Sequence, residues 1–233
     1  MKFDTICVQG AHNPAGNRNT PPVPIYQTTA FSFDNVQYAA DLFDLKANGD
    51  IYTRLSNPTT NTLEERLAML EGGVGALAVS SGQSASLIAI LNIAKSGDEV
   101  VASTNMYGGT VNLLNVTLNK MGIKTHFVSS DNAEDFEAQV TDKTRCIFVE
   151  MLNNPSLKIA DVENIALVAH KHNIPLIVDN TIPSPYLCRP IEFGADIVVH
   201  SLTKYICGHG TSMGGVIIDS GNFDWVKSGK FPE

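Results

Sequence analysis

From Asn57 onward the chain alternates short, unbroken apolar runs with longer stretches whose apolar residues recur every three or four positions. Strands alternating with helices pack as a mostly parallel, doubly wound sheet with helices on both faces. Strands are expected at 76–79, 99–103, 125–128, 146–150, 175–179, 197–200 and 215–219. Runs such as Leu176-Ile177-Val178 and Ile197-Val198-Val199 are apolar at every position, as strands covered on both faces must be. The first helix has Asn57 as N-cap, Pro58 at its first position, a stripe of Leu63, Leu67 and Leu70, and Gly72-Gly73 as its stop. Further helices are expected after Gly82 as far as Gly97, over 109–121, over 132–140, and over 162–172 behind an Asp161 cap.

Residues 1–56 show little periodicity and are rich in Asn, Pro, Gly and Thr, as in His12-Asn13-Pro14 and Asn19-Thr20-Pro21-Pro22. They are expected to form an extended arm that wraps a partner or carries function, ahead of one large domain over 57–233. Sixteen basic against 24 acidic residues leave a net charge of −8, with no Lys/Arg run, which argues against nucleic acid or an anionic membrane as partner. No apolar leader follows Met1-Lys2, and the apolar stretch Ala85–Ala94 is broken by Ser86 and Asn92, too short to span a bilayer. The charged fraction of 17% is below the usual ~25%, a hint of surface covered by self-association. Cys7, Cys146, Cys188 and Cys207 are widely spaced, and read as small buried hydrophobes in a reducing cytoplasm. Cys207 and His209 make half a zinc pattern without a second half, so no metal is expected.

In an open α/β sheet, ligands bind at the carboxyl ends of the strands. Ser81-Gly82-Gln83-Ser84 follows the first strand and opens a helix, so it is either a plain tight turn or an anion site made of free N–H groups and the helix dipole. It matches neither a P-loop nor a dinucleotide fingerprint. Asp179 closes its strand as a turn acid or as the partner of a cationic ring nitrogen. Lys204 lies among Ser201, Leu202, Thr203, Tyr205 and Ile206, as a surface lysine or as a partly desolvated amine nucleophile beside two phosphate-binding hydroxyls. Tyr107 adds an aromatic plane. An anion cradle, a ring-nitrogen acid, a lysine and a stacking ring together match pyridoxal 5'-phosphate.

With these residues in place, the chain resembles the cysteine/methionine-metabolism family of pyridoxal-phosphate enzymes, of the aminotransferase-like fold type I. The resemblance is carried by Pro24–Thr29, Tyr52–Thr59, Glu71-Gly72-Gly73, Ser81–Ala85, Tyr107–Thr110, Val178–Thr181 and Ser201–Tyr205. It implies that Lys204 is the Schiff-base lysine, that Asp179 pairs with the ring nitrogen, and that Tyr107 stacks on the ring and assists proton transfer. Gly82, Gln83, Ser201 and Thr203 would bind the phosphate, and Asn154 would lie by the ring's phenolic oxygen. Tyr52 and Arg54 would reach the phosphate of a neighbouring subunit, in a dimer or homotetramer. The segment Gly208–Ile217, Phe223-Asp224-Trp225 and Gly229-Lys230-Phe231-Pro232 resemble the family's sulfide-using branch. That branch makes homocysteine and acetate from O-acetylhomoserine and a sulfide donor; the alternatives are a cystathionine γ-synthase, a γ-lyase or a non-catalytic cofactor-binding fragment. Family members carry a small hydroxyl residue where this chain has Met151, and continue into a C-terminal substrate domain that would lie beyond Glu233.

Overall fold

The computed structural model describes residues 1–231. Pro232, in the tail motif, and Glu233, at the end of the expected 57–233 domain, lie outside the described residues. Two compact units are present, one of Met1–Arg66 and one from Leu67 on.

The first unit is less irregular than expected. It holds helix α1 (Phe3–Gln9), a short 3-10 turn over Ala15–Asn17, and helix α2 (Val36–Phe43). The Asn35 side chain caps α2 by accepting from Tyr38 N–H at 2.8 Å. The remainder is extended, pinned by main-chain bonds from Phe31 to Ile51 and from Thr53 to Thr29. Asn57, buried, ties this segment down: its amide donates to Tyr26 O at 2.9 Å and to Thr53 Oγ1 at 3.1 Å. The same side chain accepts from Thr59 N–H at 2.9 Å and so caps helix α3 (Pro58–Glu71). One residue thus starts a helix and fastens the arm.

The second unit holds a seven-stranded sheet built from β1 (Gly75–Val79), β2 (Glu99–Ser103), β3 (Lys124–Val128), β4 (Thr144–Glu150), β5 (Leu176–Asp179), β6 (Ile197–Ser201) and β7 (Gly215–Asp219). Their order is β1-β7-β6-β5-β4-β2-β3, and only β7 runs antiparallel to its neighbours. The sheet is therefore mostly parallel, as expected. Helices α4 (Gly82–Leu91), α5 (Gly108–Asn112), α6 (Ala133–Glu137), α7 (Val162–Lys171), α8 (Ser184–Leu187) and α9 (Trp225–Ser228) complete it. The short α8 and α9 carry too few residues for a periodic signal.

Ala85, Ala89 and Ile90 of α4 join Leu114 and Leu118 against Val100, Ala102, Phe148 and Ile177 of the sheet. Ile165 and Ala169 of α7 are buried as well, and α7 packs on β5. Each Val, Leu, Ile or Phe side chain among them taken fully out of water contributes about 1.5–3 kcal/mol.

Three helices depart from expectation, and of these α6 is the short remnant, Ala133–Glu137, of the helix expected over 132–140. α4 ends at Leu91, with Asn92 as C-cap, and Gly97, at a φ of +96°, turns the chain into β2. The helix expected over 109–121 passes after α5 through a π-helical turn, Leu113–Leu118, which brings Leu113, Leu114 and Leu118 all inward. The cysteines also differ: Cys146 is buried, but Cys188 and Cys207 are half-buried and Cys7 is exposed. No helix among the described residues is long and apolar enough to cross a membrane.

Candidate active site

The carboxyl ends of β1, β2, β4, β5 and β6 face one rim of the sheet, and the residues singled out in the second unit follow them. At β1, the Ser81 hydroxyl accepts from Ser84 N–H at 3.1 Å and caps α4. The N–H groups of Gly82 and Gln83 are left without an intrahelical partner. Gly82 lies so near β6 that a Cβ there would stand 2.6 Å from Ser201 Cβ and 2.8 Å from Ser201 Cα. Only glycine lets the two strand ends meet in one cradle. The Gln83 side chain donates to Thr110 Oγ1 at 3.1 Å, so the group it offers to an anion is its main-chain N–H.

At β5, Asp179 Oδ1 accepts both Thr181 N–H, at 3.0 Å, and the Thr181 hydroxyl, at 2.5 Å. Thr181 Oγ1 in turn accepts from Ser201 N–H at 2.8 Å, which couples the ends of β5 and β6. Oδ2 is left to take a further donor. Burial pushes the Asp179 carboxyl above its ordinary value, against the Thr181 hydrogen bonds and the nearby His200. A buried acid held up in this way gains from a cationic N–H.

Lys204 stands in the turn after β6 and is exposed rather than partly desolvated. In the loop that follows, Leu202, Thr203, Ile206 and Cys207 are half-buried, while Tyr205 and Gly208 to Gly210 are exposed. Thr203 Oγ1 accepts from Gly214 N–H at 3.2 Å and lies 3.4 Å from Gly214 O, a weak hold that leaves the hydroxyl able to turn to an anion. Tyr107 is half exposed. Gly109 gives its ring room, since a Cβ there would stand 2.5 Å from Tyr107 Cε1. Asn154 is exposed. Met151 contributes through its main chain, its N–H donating to Asp179 O at 2.9 Å. Tyr52 and Arg54 belong to the first unit, both exposed, with the guanidinium 5.0 Å from the Tyr52 ring centroid.

Three further features were given no role in the sequence reading. Thr181 is the link just described. Behind the rim, Glu71 Oε1 takes His200 Nε2 at 2.5 Å and the Asn180 amide at 2.9 Å, with all three side chains buried. At the end of β4, buried Glu150 sits beside Asp179 in the β4–β5 register. Burial and the Asp179 charge push Glu150 up to about 7, despite hydrogen bonds from Tyr107 and Asn154 N–H. Outside the rim, N–H groups of His209, Thr211 and Ser212 bring the Cys207 thiol down to about 7.

The Glu150 shift has a measurable consequence. Its carboxyl titrates at an ordinary 4.5 in the unfolded chain and about 7 in the folded one, so folding favours the protonated form. The stabilisation is complete below pH 4.5 and is lost as the pH rises through 7, a change on the order of 3 kcal/mol. Urea unfolding of cofactor-free protein should show wild type losing that much relative to Glu150→Gln between pH 4.5 and 8. Parallel stability curves would refute it.

A mostly parallel sheet with an anion cradle, a buried acid and a lysine on one rim defines an aminotransferase-like, fold-type I enzyme core. A model of the Cys/Met metabolism PLP-dependent enzyme family matches residues 4–233, and the chain belongs to that family. The O-acetyl-L-homoserine sulfhydrylase of Leptospira meyeri is 52% identical over 231 residues, covering 99% of this chain and 52% of that protein. The homocysteine/cysteine synthase of Saccharomyces cerevisiae is 46% identical over 235 residues, covering 99% and 53%. A solved O-acetylhomoserine (thiol)-lyase from Campylobacter jejuni, described as putative and containing a pyridoxyl-lysine monophosphate, superposes with a TM-score of 0.95. It is 40% identical, over 99% of this chain and 58% of that one. The chain thus spans about half the length of the curated relatives it matches.

The residues present suit pyridoxal phosphate. The Gly82–Ser201 cradle with two open N–H groups fits a phosphate, and Asp179 Oδ2 fits a pyridinium N–H.

Proposed function

We propose that the protein carrying this chain replaces the acetyl ester of O-acetylhomoserine with sulfide, forming homocysteine and acetate. The observation that supports it is the rim at which Asp179, Lys204 and the Gly82–Ser201 cradle meet, in a chain 52% identical to a sulfhydrylase of that substrate. The bound cofactor supplies an electron sink for charge that develops at substrate Cα and Cβ. The chain's own residues do the rest. Gly82 and Gln83 N–H groups and the Ser201 and Thr203 hydroxyls hold the phosphate. Asp179 holds the ring N–H, and the Asn154 amide lies by the phenolic oxygen. Lys204 anchors the cofactor covalently between turnovers, and its amine then takes the proton from substrate Cα. Tyr107 presents its ring face to the cofactor and its hydroxyl to the migrating protons. Hydrosulfide forms the new C–S bond at Cγ, where the C–O bond to acetate has broken.

Tyr52 and Arg54 complete the phosphate site of a neighbouring subunit, so the working unit is a dimer or a tetramer built from dimers. Residues 1–56 are on this reading the interlocking arm, and the chain from Asn57 on is the cofactor domain. Four free thiols suit a reducing cytoplasm.

Full-length protein loaded with pyridoxal phosphate and given O-acetylhomoserine should release homocysteine and acetate in equal amounts only when sulfide is supplied. Efficient formation of cystathionine from cysteine, or of a keto acid and ammonia from water alone, would replace this reading with that of a γ-synthase or γ-lyase.

A further inference from the structure

Glu150 is joined to two of the groups assigned to the cofactor, yet no step above uses it. Its side chain is 5% exposed at the carboxyl end of β4. Oε2 accepts the Tyr107 main-chain N–H at 2.6 Å. That N–H lies at the start of α5, where Thr110 and Val111 N–H groups already bond to Tyr107 O. The Tyr107 peptide is therefore held on both sides, by its own helix through the carbonyl and by β4 through the amide.

The neighbouring residue of the same segment reinforces the hold. The buried Asn153 side chain has one amide atom 2.7 Å from Asn105 O and 2.8 Å from Glu150 O; two acceptors there assign that atom as the nitrogen, which donates to both. Asn105 N–H is tied back to Ser103 Oγ at 3.0 Å. The loop from β2 to α5 is thus clamped at residues 105 and 107 by the end of β4. Gly109, lacking a Cβ, leaves the Tyr107 ring the space it occupies.

We propose that Glu150 is a positioning residue that sets the place and tilt of the Tyr107 ring over the cofactor by holding the Tyr107 amide. This rests on the assignment of Tyr107 as the ring platform. What matters on this view is the reach of the acceptor oxygen. Aspartate keeps the charge but withdraws the carboxyl by one methylene. Glutamine removes the charge but keeps an acceptor at full length.

The test is visible circular dichroism of full-length protein titrated with pyridoxal 5'-phosphate, normalised to bound cofactor, with affinity read from the same titration. Cofactor bound in a chiral, stacked site gives a visible signal, and a displaced ring changes it without any turnover. Glu150→Asp should lower the signal per bound cofactor and weaken binding by up to about tenfold, the loss of one hydrogen bond. Glu150→Gln should recover most of both. A Glu150→Asp protein with the wild-type signal per bound cofactor, or a Glu150→Gln protein as impaired as Glu150→Asp, would overturn the proposal. Wild-type protein that takes up no cofactor would bring down the site assignment and this proposal together. Cofactor uptake with an unmoved signal in both variants would bring down this proposal alone.

Discussion

Replacing Lys204 with Ala in the full-length protein should cost at least about a thousandfold in kcat/KM with O-acetylhomoserine and sulfide. One side chain would serve as both covalent anchor and proton carrier, and a positioned acid–base alone supplies ~10²–10⁴-fold. Lys204 is exposed on the turn after β6, three residues beyond Ser201. Borohydride reduction of cofactor-loaded wild type, followed by peptide mapping, should put the label on Lys204. Recovery of the label on another lysine would sink the assignment. The same variant tests the arm. Mixing Lys204→Ala subunits with Arg54→Ala subunits should regain activity, because each hybrid dimer contains one site with both residues intact. No gain after demonstrated subunit exchange would mean that Arg54 serves its own subunit.

Asp179→Asn should be nearly as severe, with kcat/KM down on the order of a thousandfold, as for loss of a preorganised charge at a developing one. The amide oxygen can still accept from Thr181, so the turn is preserved while the ring nitrogen loses its anionic partner. Removal of the Asp179 charge also withdraws one of the two causes that raise Glu150, which should titrate below its wild-type value of about 7. Steady-state kinetics and a pH titration of cofactor-free protein read the two effects separately. Activity within tenfold of wild type would show that Asp179 does not carry the ring nitrogen.

Much of this arrangement is legible in the sequence because strand ends in an α/β sheet are easily located. The unbroken run at 176–178 places Asp179 at a carboxyl end, and the run at 197–199 does the same for Ser201. Glu150 is not legible in that way. Its significance depends on β4 lying beside β5, and strand order is not written in the apolar runs. Nor is strand direction: β7 looks like its neighbours in sequence and runs against them, since the connection from Leu202 to Gly214 holds no crossover helix. Helix α2 is missed because its signal, an Asn35 cap ahead of Leu42, lies among Asn, Pro and Gly and buries only Leu42. The π-helical turn at 113–118 leaves the apolar count unchanged and so escapes a reading by period.

The place of β1 at the sheet edge bears on how such a chain can be synthesised. Its sole sheet partner is β7, and Gly75 pairs with Asp219. On the ribosome, β1 leaves the exit tunnel long before that partner exists. β2, β3 and β4 can pair with one another while Ala76–Val79 still lacks a neighbour. Gly215, the first residue of β7, packs against the Ser81 carbonyl and the Gly82 amide so closely that no Cβ fits. The turn at Ser81-Gly82 therefore receives its back wall only when β7 is translated. Closure of this edge waits for β7, after an interval in which an unpaired edge strand is open to chaperones or to another nascent copy.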